Sequence, residues 1–205
     1  MDFDSKQHWE KVYQEKEPGQ VSWYQAQPNI SLELIALSGI NEAGRIIDVG
    51  GGSSILVDKL LDKGFNNIAV LDISAKAIEH AKKRLGKQAE RVTWIEADIT
   101  KFELPQQYDL WHDRAVFHFL TNPLDRKKYI EEMEKAVKPG GHIIIAAFSL
   151  EGPLKCSGLD VERYDVQKMK KELSGSFELV KNVDEVHMTP WNKEQKFLYC
   201  YLRRV

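Results

Sequence analysis

Three carboxylates stand where a chain could grip a ligand carrying a cation, a sugar and a purine. Asp48 opens the run Asp48-Val49-Gly50-Gly51-Gly52-Ser53-Ser54, Asp72 closes the apolar run Ile68-Ala69-Val70-Leu71, and Asp98 follows Trp94-Ile95-Glu96-Ala97. Glycines let the backbone approach a bound molecule and adopt dihedrals closed to other residues. Asp72 lies 22 positions after Gly50, the spacing at which a carboxylate accepts both hydroxyls of a ribose. Asp98 can accept from an exocyclic purine amine, while backbone beside it, at Ile99, meets a ring nitrogen; Ile73 borders the same edge after Asp72. Each feature alone has a plainer reading. A glycine-rich turn is an ordinary strand-to-helix connection, and a lone Asp98 caps the next turn. Three acidic residues closing three successive strands are harder to explain that way.

Two ligands compete for such a rim. A nicotinamide dinucleotide wants a small residue three positions after Gly52, where helix and strand touch, and Ile55 stands there. Asp48 beside the loop would also repel a pyrophosphate. S-adenosylmethionine offers an ammonium, a ribose and an adenine without any phosphate, and Asp48, Gly50, Gly51, Gly52 and Asp72 suit it better.

A second cluster, Trp111-His112-Asp113-Arg114-Ala115-Val116-Phe117-His118-Phe119, falls where a fourth strand ends. Asp113 or His118 is a candidate base for an amine or hydroxyl, and Arg114, four residues from His118, can hold a carboxylate. Against this, Asp113 and Arg114 can equally pair with structural neighbours, and His112 reads as structural. Before the first strand come Trp9, Tyr13, Trp23 and Tyr24. Tyr13 reads as packing on a helix, whereas Trp23 and Tyr24 fall in a non-helical stretch and read as substrate-binding walls of a lid. Cys156 sits in the loop Gly152–Leu159, the expected specificity loop, and no step requires it as a nucleophile. The chain shows no metal-ligand spacing.

The elements that must position these groups follow from period and punctuation. Ser5 is expected to cap a helix to about Gln14, and another follows Pro28 until Gly39. Arg45–Val49, Ile68–Leu71, Val92–Ile95, Tyr108–His112 and His142–Phe148 read as buried strands. Between them lie a helix capped by Ser53 or Ser54, one over residues 74–85, and one from Asn122-Pro123 to Val137. A last helix spans Asp165 to about Leu173. The final strands, Phe177–His187 and Gln195–Leu202, are separated by too few residues for a helical crossover, so they must be antiparallel. The expectation is an α/β, Rossmann-like fold: a mostly parallel seven-stranded sheet with a C-terminal antiparallel hairpin and helices on both faces.

These residues carry a family likeness. The chain resembles class I S-adenosylmethionine-dependent methyltransferases over roughly residues 40–150 by motif and to the end by topology. The family's loop, acidic-x-Gly-x-Gly-x-Gly, appears as Asp48-x-Gly50-x-Gly52-x-Ser54 with the third glycine replaced. Its ribose acid corresponds to Asp72, its adenine-contacting acid to Asp98, and its Pro-Gly-Gly turn to Pro139-Gly140-Gly141. The resemblance implies in-line methyl transfer with S-adenosylmethionine as cofactor, and a further cofactor contact near the fourth strand end, assigned to Asp113. It fixes no base. Asn-Pro-Pro-Tyr, typical of members acting on base amines or glutamine amides, is absent, so no nucleic-acid acceptor is expected. Trp9/Tyr13, Ser22-Trp23-Tyr24 and Asp72-Ile73-Ser74 are loosely similar to the small protein-lysine methyltransferases. A protein lysine is thus one acceptor, and a small thiol, amine or carboxylate the alternative. Further removed are a non-catalytic S-adenosylmethionine-binding module and a nicotinamide oxidoreductase.

Composition bounds the rest. With 205 residues, 42% hydrophobic and 29% charged, net charge −2 and pI near 6.3, the chain reads as one globular domain: a helical lid over 1–40, a cofactor core over 41–150, and a substrate loop plus hairpin over 151–205. The charge gives no pull toward nucleic acid or membrane. The two cysteines and the charged, acidic N-terminus point to a reducing, cytoplasmic setting. Oligomeric state is left open.

Overall fold

Alternation of side chains along the strands decides the architecture. In β1 (Arg45–Val49) Ile47 and Val49 point to one face, Ile46 and Asp48 to the other, because successive strand residues face opposite ways. Both faces are apolar, so both must be covered. The computed structural model describes residues 3–205. Its main sheet adds β2 (Asn67–Asp72), β3 (Val92–Glu96), β4 (Tyr108–Arg114) and β5 (Val137–Phe148). A minor hairpin of β6 (Lys155–Cys156) and β7 (Leu159–Asp160) follows, then β8 (Phe177–Met188) and β9 (Glu194–Arg204). The order across the sheet is β3-β2-β1-β4-β5-β9-β8. The first five strands are parallel, and β9 runs antiparallel to both β5 and β8. This is the expected seven-stranded, hairpin-terminated sheet.

Helices α1 (Ser5–Glu15), α2 (Asn29–Leu37), α3 (Leu56–Asp62), α4 (Ala75–Leu85), α5 (Pro123–Ala136) and α6 (Val166–Glu172) complete the fold. One face packs Ile47, Trp111, Ile143 and Ile145 against Tyr129 and Met133 of α5 and Met169 of α6. The other packs Ile46, Leu110, Ile144 and Tyr199 against Leu34 and Ile35 of α2 and Leu56 and Leu60 of α3. No helix among the described residues is long and apolar enough to cross a membrane.

Three local expectations are corrected. The first helix is capped by Asp4, whose side chain accepts from Gln7 N, and Ser5 is its first residue. Neither Ser53 nor Ser54 is the cap residue of α3. Ile55 is, with Ser54 Oγ accepting from Leu56 N. β5 pairs from Val137, with an irregular register where Tyr108 faces Val137 and Leu110 faces His142. The intervening Lys138–Gly141 turn bulges out of the ladder. The β6/β7 hairpin, two residues a side, is too short to carry a periodic signal.

Candidate active site: a carboxylate rim under an aromatic roof

Ligands of open α/β sheets lie beyond the carboxyl ends of the parallel strands, and there β1 turns into α3 through glycines. Gly50 has φ +71°, a conformation that disfavours a side chain, and a Cβ on it would sit 2.0 Å from Val116 Cγ2. A Cβ on Gly51 would fall 2.2 Å from Asp48 Oδ2, and one on Gly52 2.6 Å from Asp72 Oδ2. All three glycines are therefore required by close approach, and two of them by the carboxylates they face.

Asp72 is buried. Its Oδ2 accepts from Gly52 N at 3.0 Å and its Oδ1 from Ser74 N at 2.9 Å. Burial raises its pKa to about 6 against the opposing pull of these two N–H groups. Asp48 is also buried; Oδ1 meets His112 Nδ1 at 2.7 Å, and Oδ2 has no partner among the described residues. Buried polar atoms without partners are rare in folded chains. Burial also opposes ionisation of Asp98, but hydrogen bonds from Thr100 and Lys101 outweigh it and hold that carboxyl below its usual range.

Asp48 and Asp98 line two separate clefts, while Asp72, turned onto the Gly52 and Ser74 N–H groups, lines neither. Asp48, Gly50, Gly51, His112, Arg114 and Ser31 line one, roofed by Tyr13, Trp23 and Tyr24. Ile73, Ala97, Asp98 and Lys101 line the other, bordered by Phe3, Ser5 and Lys6. Ile99 instead turns into the core. The first cleft holds only about 40 Å³, room for about three waters, because the roof sits low on it. Trp23 packs edge-on against Trp9 and Tyr13, at 5.7 and 6.2 Å between ring centres, and Trp9 packs against Phe119 at 4.9 Å. Tyr13 thus joins Trp23 and Tyr24 as a wall of the cleft rather than only as helix packing.

Arg114 ties the roof down. Its Nε donates to Tyr199 OH at 2.8 Å, one terminal nitrogen to the Trp23 carbonyl at 2.9 Å, and the other pairs with Glu185 at 3.4 Å. Gln25 Nε2 donates to Glu185, and His187 Nε2 meets the Ser22 carbonyl at 2.8 Å. The roof segment is therefore tied to β4 and β8 by part-buried polar contacts.

The two residues expected to act as bases do not face either cleft. Asp113 is fully buried and accepts from Val116 N, Phe117 N and Tyr129 OH. Burial raises its pKa to about 6, and its carboxylate holds a turn in which Ala115 has φ +75°. It braces the Val116 that underlies Gly50 and has no geometry for a cofactor contact. His118 is fully buried among Phe119, Phe148 and Phe197. Its Nδ1 accepts from Phe148 N, so Nε2 carries the proton and no lone pair is left to take another. Burial, then the Arg114 charge, push its pKa down to about 3. Hydrogen bonds hold Asp113 inside the fold, and aromatic rings enclose His118 with its Nε2 unpaired among the described residues, so the catalytic assignments of Asp113 and His118 are corrected.

Sequence reasoning missed three participants. His112, read as structural, lies on the cleft floor bonded to Asp48 and Ser31. Ser31 comes from α2. Glu10 reaches from α1 to accept from Ala75 N and Lys76 N at the start of α4, where the helix dipole favours a carboxylate. Only the alternation of β4, which puts His112 on the same face as Asp48, could have signalled the first of these.

The residues present fit S-adenosylmethionine: the bare Asp48 oxygen suits an ammonium, the glycine cradle leaves space a Cβ would fill, and Asp72 ends the adjacent strand. Comparison with known proteins agrees. The malonyl-[acyl-carrier protein] O-methyltransferase 2 of Ilyobacter polytropus is 28% identical over 162 residues, 74% of this chain and 61% of that protein. The eEF1A lysine and N-terminal methyltransferase of Bos taurus is 24% identical over 146 residues, 70% of this chain and 20% of that protein. This chain thus spans less than two thirds of either relative. The N-methyltransferase NodS of Bradyrhizobium japonicum, solved with S-adenosylhomocysteine, shares the fold at TM-score 0.73 and 17% identity, covering 98% of this chain and 99% of that one. A methyltransferase from Anabaena variabilis does so at TM-score 0.77 and 13% identity, over 100% and 96%. A family profile described as a methyltransferase domain matches residues 40–199, and this chain belongs to that family.

Proposed function

We propose that the protein transfers a methyl group from S-adenosylmethionine to a small acceptor held beneath the Trp23–Tyr24 roof. The observation that carries this reading is the unpartnered, buried Asp48 Oδ2 beside a glycine cradle, with Asp72 closing the next strand. When bound, S-adenosylmethionine supplies a methyl group already activated by a sulfonium. The protein's own task is then to align an acceptor and exclude water. Asp48 and the cradle hold the amino-acid end, Asp72 the ribose, and Asp98 with Ile73 the adenine. Trp23, Tyr24 and Arg114 border the remaining space. No base facing that space is assigned, which suits an acceptor that is deprotonated, or loses its proton to water, at neutral pH.

The aromatic roof tied over the cleft by Arg114 supports a small molecule over an extended protein surface. A protein lysine is the second reading: its chain is slender, the aromatic walls suit an ammonium, and one relative is named for lysine methylation. Incubating the protein with methyl-labelled S-adenosylmethionine and a cell lysate, then separating protein from metabolites, decides between them. Label in the metabolite fraction supports the first reading and label on lysine the second. Label in neither, with active cofactor binding, removes the transferase proposal.

A further inference from the structure

Ser31, His112 and Asp48 form a hydrogen-bonded chain along the cleft floor, and each is at most 2% exposed. His112 and Asp48 are register partners on β4 and β1, so their side chains leave the sheet side by side on one face. A carboxylate oxygen accepts, so His112 Nδ1 donates to Asp48 Oδ1 at 2.7 Å, and Nε2 hydrogen-bonds with Ser31 Oγ at 2.9 Å. Both ring nitrogens are thus committed, and the imidazole cannot turn. The consequence falls on Asp48: one oxygen is pinned, and the other is left bare against Gly51. A carboxylate free to rotate could share both oxygens with nearby N–H groups. This one is held with an unpaired oxygen at the cradle.

We propose that His112 is a positioning residue for the amino-acid end of the methyl donor: it holds Asp48 so that Oδ2 meets the ammonium. The inference rests on the reading that this cleft takes S-adenosylmethionine. His112 touches neither the methyl group nor an acceptor, and acts through Asp48, as outer-shell groups orient the ligands they support.

Two amide replacements separate its two contacts. Asparagine places its amide nitrogen near the Nδ1 position and keeps the donation to Asp48. Glutamine reaches toward the Nε2 position and keeps the Ser31 contact instead. Calorimetric titration with S-adenosylhomocysteine should leave His112→Asn within about threefold of the wild type and weaken His112→Gln at least tenfold, about 1.4 kcal/mol. In ¹⁵N-labelled wild type, His112 should show the Nδ1-protonated tautomer, with a resonance that moves on ligand addition. Equal affinities of both variants in a wild type that binds, or an Nε2-protonated ring indifferent to ligand, overturns the inference alone. A wild type that binds no S-adenosylhomocysteine overturns the cofactor reading with it.

Discussion

Replacing Tyr129 with phenylalanine tests whether Asp113 is a brace or a base. The Tyr129 hydroxyl donates to Asp113 and accepts from Trp111 Nε1 at 2.9 Å, and all three side chains are fully buried. A hydrogen bond to a charged partner is worth about 1.5–3 kcal/mol, and a buried N–H left bare costs about 1–3 kcal/mol. The two losses overlap, so Tyr129→Phe should destabilise the fold by about 3 kcal/mol. At an m-value of about 2 kcal/mol/M, urea unfolding followed by tryptophan fluorescence should shift its midpoint by roughly 1.5 M. The penalty should also depend on pH. The folded pKa of Asp113, about 6, lies above its unfolded value, so the folded chain binds the proton more tightly and this group's contribution is lost as pH rises from about 4 to about 6. Above that window the ionised carboxylate misses its donor; below it a protonated one needs it less. The variant should therefore be more nearly wild-type at pH 5 than at pH 7.5. Affinity for S-adenosylhomocysteine should stay within about threefold where the protein is folded, since neither residue faces a cleft. A stable variant that binds cofactor but has lost methyl transfer would refute the reasoning and restore Asp113 as a base.

Three further outcomes follow. Gly51→Ala, whose Cβ would crowd Asp48 Oδ2 at 2.2 Å, should weaken S-adenosylhomocysteine at least about tenfold in calorimetry while the protein still folds. The proposal that ribose hydroxyls donate to an ionised Asp72, whose pKa is raised to about 6, predicts affinity level above pH 7 that falls as pH drops through 6. A flat profile down to pH 5 would remove Asp72 from the site. Arg114→Gln breaks the pair with Glu185 and weakens the hold on the Trp23 carbonyl, so amide exchange across residues 18–27 should rise about tenfold, an opening of about 1.4 kcal/mol; unchanged exchange would mean the roof is held elsewhere.

The strands were legible because most are short apolar runs between glycines and helix caps, a pattern dense enough to specify a parallel run and a terminal antiparallel hairpin, while the order across the sheet came only with the structure. Asp48 and Asp72 lie in the last two positions of β1 and β2 and Asp98 just beyond β3, and it is this convergence on one edge that the proposed cofactor site rests on. What the sequence hid depends on contacts between distant positions. His112 meets Asp48 across 64 positions and Ser31 across 81, and Glu10 reaches α4 across 65. Asp113 and His118 misled because a polar residue at a strand end looks the same whether it faces ligand or core. The difference lies in Tyr129, from α5, and in Phe148, from β5. Arg114 held both of its readings at once, paired with structural neighbours and lining the cleft.

Titrating the protein in parallel with S-adenosylhomocysteine and NAD, with Asp72→Ala alongside, addresses the carboxylate rim most directly. The expected result is one S-adenosylhomocysteine per chain, no measurable NAD binding, and a loss of a few kcal/mol in the variant, the scale of charge-assisted hydrogen bonds. Preference for NAD, or equal affinity in a folded Asp72→Ala protein, would contradict it.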